Sequence, residues 1–151
     1  MLRVVITEIL DMQIIPNKRI AEWDESKWIV LSSFFFMIPS VYGYYKGLYF
    51  LANVLLLTSI ISANYWRNAT YSIRRGVDKS FARVSFSIFL YNGVVYVRYV
   101  PYLITAWSGF IFLLFCYYES NKWWVLKDKK WIKYHMLFHA IMAYNQFIIL
   151  K

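Results

Sequence analysis

One cysteine, two histidines and eight acidic residues are all that this chain of 151 residues offers to metal, redox or acid–base chemistry. The lone thiol, Cys116, stands inside an apolar run, which excludes an internal disulfide framework and a cysteine-based zinc site and leaves the redox compartment open. With no third histidine, a zinc ion could not be held by three imidazoles. Charged residues make up only 17% of the chain, and the net charge of +9 is accompanied by no recognised nucleic-acid motif, so nucleic acid is not an expected partner. There is no internal repeat and no low-complexity tract. Residues 1–15 do not read as a signal peptide, because Glu8, Asp11 and Gln13 interrupt the apolar region that such a signal needs.

What the chain does have is hydrocarbon. Hydrophobic residues make up 60% of it, where a soluble domain carries about 45–50%. Its 14 Tyr and 7 Trp suit a bilayer, where amphipathic rings collect at the headgroup level. A spanning helix needs about 20 mainly apolar residues, because lipid offers backbone amides no partner. Five stretches qualify, at about 28–45, 47–66, 80–97, 99–118 and 132–150. The expected fold is therefore an all-α, polytopic transmembrane bundle of about five spans. It comprises a cytoplasmic segment over 1–27 and one helical domain over 28–151. Lys46 and Gly47 should form a tight turn between the first two spans. Pro39 should kink the first span without ending it. Arg83 lies within one turn of the expected interface, where its long side chain can snorkel to water.

Orientation follows from the basic residues. With five spans, Arg3, Lys18, Arg19, Lys27, Arg67, Arg74, Arg75, Lys79, Arg83, Lys122, Lys127, Lys129, Lys130 and Lys133 share one side, against Lys46, Arg98 and Lys151 on the other. The positive-inside rule then places the N-terminus in the cytoplasm and the C-terminus outside or in a lumen, without naming the membrane. The same charges favour anionic membrane lipids as partners. Asn68-Ala69-Thr70 matches the glycosylation pattern but falls in a cytoplasmic loop against a span, so no glycan is expected. Leu2, Val5, Ile9 and Met12 recur at helical spacing and predict an interfacial amphipathic helix ending near Pro16, or a short cap on the cytoplasmic loops. Trp123, Trp124 and Trp131, set among lysines, predict a headgroup anchor in the fourth loop.

Few polar residues enter the spans. His135 and His139 stand at i and i+4 on one helix face, a spacing that lets two imidazoles hold one metal ion. The same spacing is equally met by two histidines satisfied by neighbouring hydroxyls. Gln146, seven residues on, extends this face, whereas Asn145 points off it. Asp78 begins a face continued by Ser85 and Asn92. It could stabilise the helix N-terminus electrostatically beside Arg74 and Arg75, or it could orient a water or a ligand histidine. Thr58, Ser59, Ser62, Tyr65 and Trp66 share a face of the second span, where hydroxyls more often bond neighbouring helices than react. Ser62, Tyr65, Asp78 and His135 should lie at similar depth, with His139 about 6 Å deeper.

Ser62-Ala63-Asn64-Tyr65-Trp66, then Asp78, then His135-x-x-x-His139 in the last span resembles the superfamily of alkaline ceramidases and progestin and adipoQ receptors. Those are seven-helix membrane hydrolases or hydrolase-like receptors. The resemblance implies Ser62 and Asp78 as catalytic residues, His135 and His139 as metal ligands, and zinc as the cofactor. The chain departs from that pattern in having five expected spans and in carrying Tyr65 or Trp66 where an early histidine would stand. Three function classes follow. The first is a non-catalytic or degenerate relative acting as scaffold or accessory subunit through helix–helix contacts with other proteins. The second is a metal-dependent lipid amide hydrolase with a cytoplasm-side site, in which Ser62 would bond the developing oxyanion. The third is a small channel or transporter, for which the outer halves of the spans offer little polar path beyond Asn53, Asn92, Thr105 and Gln146.

Overall fold

A computed structural model describes residues 18–151. The amphipathic helix expected over residues 1–15 lies outside the described residues. Within them the fold is all-α, with five helices: α1 (Trp23–Tyr45), α2 (Tyr49–Trp66), α3 (Ile73–Tyr96), α4 (Val100–Val125) and α5 (Lys130–Ile149). Three of these, α1, α2 and α4, are long and apolar enough to cross a membrane. Helix α3 spends its first half on Arg74, Arg75, Asp78, Lys79 and Arg83, which lowers its hydropathy. In α5, Lys130, Lys133, both histidines, Asn145 and Gln146 have the same effect.

The turns near Pro39, at Gly47 and between α4 and α5 each have a local cause. Pro39 has no N–H, and its ring crowds the carbonyl four residues back. Helix α1 meets this by tightening into a 3-10 turn at Phe34–Phe36 and then resuming as α-helix over Met37–Tyr45. Gly47 takes φ +73°, the left-handed conformation that ends a helix, and the Leu48 N–H closes back on the Gly43 carbonyl at 2.8 Å. Gly43 is needed for a second reason: a Cβ there would sit 3.1 Å from the Ala52 Cβ, so its absence lets α1 and α2 pack closely. Helix α4 runs on to Val125, well past the expected end of its span. The left-handed residue at its end is Lys127, with the Asp128 N–H bonded to the Trp123 carbonyl. Asp128 then caps α5 by accepting from the Lys130 N–H at 2.9 Å.

Helices α1 and α2 form one antiparallel pair and α4 and α5 another, with α5 also lying against α1 and α3 packed mainly on α2. Two apolar clusters result. One, built on Phe36, Leu55, Phe89, Leu113, Met142 and Leu150, holds the middle and the loop 46–48 end. The other, at the opposite end, joins Ala21, Ile29, Tyr65, Trp66, Ala69 and Trp131. Its end is closed by an isolated antiparallel bridge between Arg19 and Thr70, with the Ile20 N–H on the Ala69 carbonyl at 2.8 Å. The segment before α1, the α2–α3 loop and the α4–α5 loop therefore meet, and together with the helix ends that adjoin them they carry most of the basic residues. The bridge also ties down the glycosylation pattern, since Ala69 and Thr70 are buried. Trp131, expected at the headgroups, is instead 5% exposed, because Trp66 and Trp124 pack against its ring.

Candidate functional site

Helices α1, α2 and α5 meet along a seam of small hydroxyl side chains and imidazole. Small residues at such a seam let the backbones approach, and their hydroxyls have no alternative partner once lipid or protein surrounds them. Ser32 and Ser33, both fully buried, donate to or approach the Ile29 carbonyl one turn back at 3.0 and 2.9 Å. From α1 they reach outward to different helices. Ser32 Oγ lies 2.9 Å from His139 Nδ1 on α5, and Ser33 Oγ lies 2.9 Å from Ser62 Oγ on α2. A hydroxyl has one proton. Where Ser32 gives it to Ile29, the His139 Nδ1–H must donate to Ser32, which leaves the Nε2 lone pair free. Where Ser32 gives it to Nδ1, Nε2 carries the proton.

Aromatic rings finish the enclosure. His139 meets Phe36 edge-on at 5.4 Å and His135 at 4.8 Å between ring centroids. His135, half-buried one turn nearer the basic end, is held by Trp66 at 4.9 Å and Trp131 at 6.1 Å. Thr58, deeper on α2, donates to the Val54 carbonyl at 2.7 Å and lies 3.1 Å from Ser85 Oγ, joining α2 to α3. Thr58, Ser59, Ser62, Tyr65 and Trp66 are all buried, as one shared helix face requires.

The structure thus brings Ser62, His135 and His139 into one neighbourhood. It does not bring Asp78 with them. Asp78 lies in the first two turns of α3, beside Lys79 and within electrostatic reach of Tyr65. Burial pushes its carboxyl up to about 6, and Lys79 opposes the shift. Among the described residues, no group of three His, Cys, Asp or Glu side chains is placed to hold a metal ion. The donor set therefore does not fit a catalytic zinc, which takes three protein ligands, and one His139 nitrogen is already engaged by Ser32.

Ser32 and Ser33 complete the site, yet neither stands out in the sequence. Their signal was two adjacent serines inside an apolar run. Which helices they would meet depends on the crossing of α1 with α2 and α5, which no local pattern encodes. Comparison of the whole chain with protein-family models, curated proteins and solved structures finds no match.

Proposed function

We propose that this chain is a five-span integral membrane protein, with its N-terminus in the cytoplasm and its C-terminus outside or in a lumen, acting as a non-catalytic scaffold or accessory subunit. The observation that carries the non-catalytic reading is the closure of the polar seam. Ser32 is paired with His139 and Ser33 with Ser62, all four of them buried, and His135 lies half-buried against Trp66 and Trp131, so none of the three paired hydroxyls stands open to a substrate. Their bonds hold three helices in register.

Five spans, beyond the three helices that qualify by length and apolarity, are supported by packing. Helix α5 has 20 residues, about 30 Å of rise and so about the thickness of a hydrocarbon core, and it lies along α1 and α4 for its length. Helix α3 packs on α2. Antiparallel alternation then places the basic loops together, in accord with a cytoplasmic side. The partner surface fits α4. It packs mainly on α5 and turns Ile104, Trp107, Ile111, Leu114 and Tyr118 outward, a face open to lipid or to a helix of another protein.

A ceramidase-like lipid amide hydrolase using Ser62, Asp78, His135 and His139 around zinc is the competing reading, and one experiment separates the two. Detergent-purified protein should hold less than stoichiometric zinc and should release no fatty acid from N-acyl lipids, in both wild type and the His135→Ala/His139→Ala double variant. One zinc per chain, lost together with amide hydrolysis in the double variant, would overturn the scaffold reading. For topology, an externally active reporter fused after Lys151 should be active, and inactivity would exclude the odd number of spans.

A further inference from the structure

Helices α3 and α4 are consecutive in the chain but do not pack as a pair. Between them, floored by α5, runs a crevice of about 70 Å³ in the half of the bundle away from the histidines. Phe86 and Phe110, stacked at 6.1 Å, close its end nearer the histidine seam, and Trp107 stands half-exposed along its side. Its walls are apolar apart from the indole N–H of Trp107 and two carboxamides of α5, Asn145 and Gln146. Gln146 is 2% exposed, and neither its Oε1 nor its Nε2 has a hydrogen-bond partner; Asn145 Oδ1 has none either. The close approach of Gly109 accounts for the Asn145 position, since a Cβ at 109 would overlap that side chain. Nothing in the packing accounts for Gln146.

Buried polar atoms in folded proteins are almost always paired, and those left unpaired point to a ligand or a water. A carboxamide both donates and accepts, so its complement is a group that does the same. No charged side chain lines the crevice, so an ionised headgroup would meet no counter-charge there. The volume is several times the roughly 10–15 Å³ that one water requires and far too small for a helix about 10 Å across. The crevice is walled mainly by apolar side chains, and in a bilayer the neighbouring species that suits such walls is a single alkyl chain.

We propose that the α3–α4 crevice binds an uncharged single-chain lipid whose polar end, a hydroxyl or a primary carboxamide, is bonded by Gln146. The chain would lie against Phe86, Phe110 and Trp107. The headgroup would fill the bonding capacity that the protein leaves unpaired at Gln146 and Asn145, and because those atoms are covered in the structure the Gln146 carboxamide must turn toward the crevice to receive it. This needs the chain to lie in a bilayer but does not depend on whether the histidine seam is catalytic.

The test is photolabelling of the purified full chain in phosphatidylcholine nanodiscs with hexadecanol carrying a diazirine at mid-chain, with the labelled peptides mapped by mass spectrometry. Labelling should concentrate on residues 86–94 and 103–113. Excess hexadecanol should suppress it, and excess hexadecane should not. Gln146→Leu should reduce the specific labelling about tenfold or more, one bonded polar group's worth of discrimination in a buried site. Ala106→Phe, which obstructs the crevice from the α4 side, should abolish it in protein that remains monodisperse and helical. Labelling spread equally over the outward residues of α1, or unchanged in Gln146→Leu, would overturn the proposal and leave the crevice to water or bulk lipid tails.

Discussion

Helix α5 carries two polar pairs, and their fates differ. His135 and His139 lie near its start, in a seam where His139 meets a serine and His135 meets two indoles. Asn145 and Gln146 lie about 10 Å farther along the same helix, where three of their polar atoms are buried without a partner. Gln146 even shares the face of His139, seven residues away. What differs is the opposing surface. The histidine level faces α1 and α2, whose small hydroxyl residues can approach and bond. The carboxamide level faces α3 and α4, whose Phe, Leu and Trp side chains can only exclude water. One level therefore gains from most of its polar groups, with the Ser59 hydroxyl the exception, and the other holds unmet bonding capacity that costs roughly 1–3 kcal/mol per group unless something satisfies it.

The contrast is most open to attack at its larger end. His139→Ala should destabilise the protein by about 2–4 kcal/mol, because it removes a packed ring and leaves the Ser32 hydroxyl with only its own helix. Thermal unfolding in detergent should show a clear drop in Tm, and an unchanged Tm would mean that the seam contributes nothing. Gln146→Leu should act in the opposite direction, raising stability by about 1 kcal/mol in the absence of added lipid, since it replaces an unpaired amide by hydrocarbon of similar length. A loss of stability there would erase the distinction between the two levels. The Ser33–Ser62 contact refines the first point. A double-mutant cycle with alanine at both positions should give a coupling of about 0.5–1 kcal/mol, the scale of hydrogen bonds between membrane helices.

The smallest effect expected is at Asp78, outside both levels. Its folded-state carboxyl is raised to about 6 from 3.8 by burial, so the folded protein binds this proton more tightly than the unfolded chain does. Stability from this group is fully present below about pH 4 and is lost as the pH rises through about 6. Asp78→Asn should flatten that decline and raise Tm modestly at neutral pH, as measured by unfolding across the range. A steeper decline in the variant would show that the carboxylate is stabilised by a charge partner instead.

Several features could be read directly from the residues. The apolar runs located all five helices, and the turn at Lys46 and Gly47 formed where Gly47 could take a positive φ. Pro39 left its helix unbroken, and a short 3-10 turn directly before its last α-helical stretch accommodates the missing N–H. The shared face of Thr58, Ser62 and Trp66 followed from helical periodicity, and so did the contact between His135 and His139. Other features were hidden. Helix α4 outran its apolar stretch because amphipathic residues such as Trp123 continue a helix as readily as they end a span; its indole N–H bonds Glu119 at 2.7 Å. Trp131 went to the interior because Trp66 lay opposite it. Asn145, expected to point off the helix face, is half-buried with its Oδ1 enclosed because Gly109 on α4 lets it approach.

The sequence by itself determined that the chain is helical and rich enough in hydrocarbon to supply membrane spans. It also determined that the basic residues separate from the rest and that no three-imidazole metal centre can form. These depend on composition and on periods of a few residues, which are local. Only the tertiary structure decided that Ser32 meets His139, that Ser33 meets Ser62, that Asp78 stays away from both histidines and that Gln146 is left facing hydrocarbon. Those outcomes depend on which helices cross and how closely. Crossing is set by small residues such as Gly43 and Gly109 and by bulky ones such as Phe86 and Phe110, acting between segments far apart in the chain.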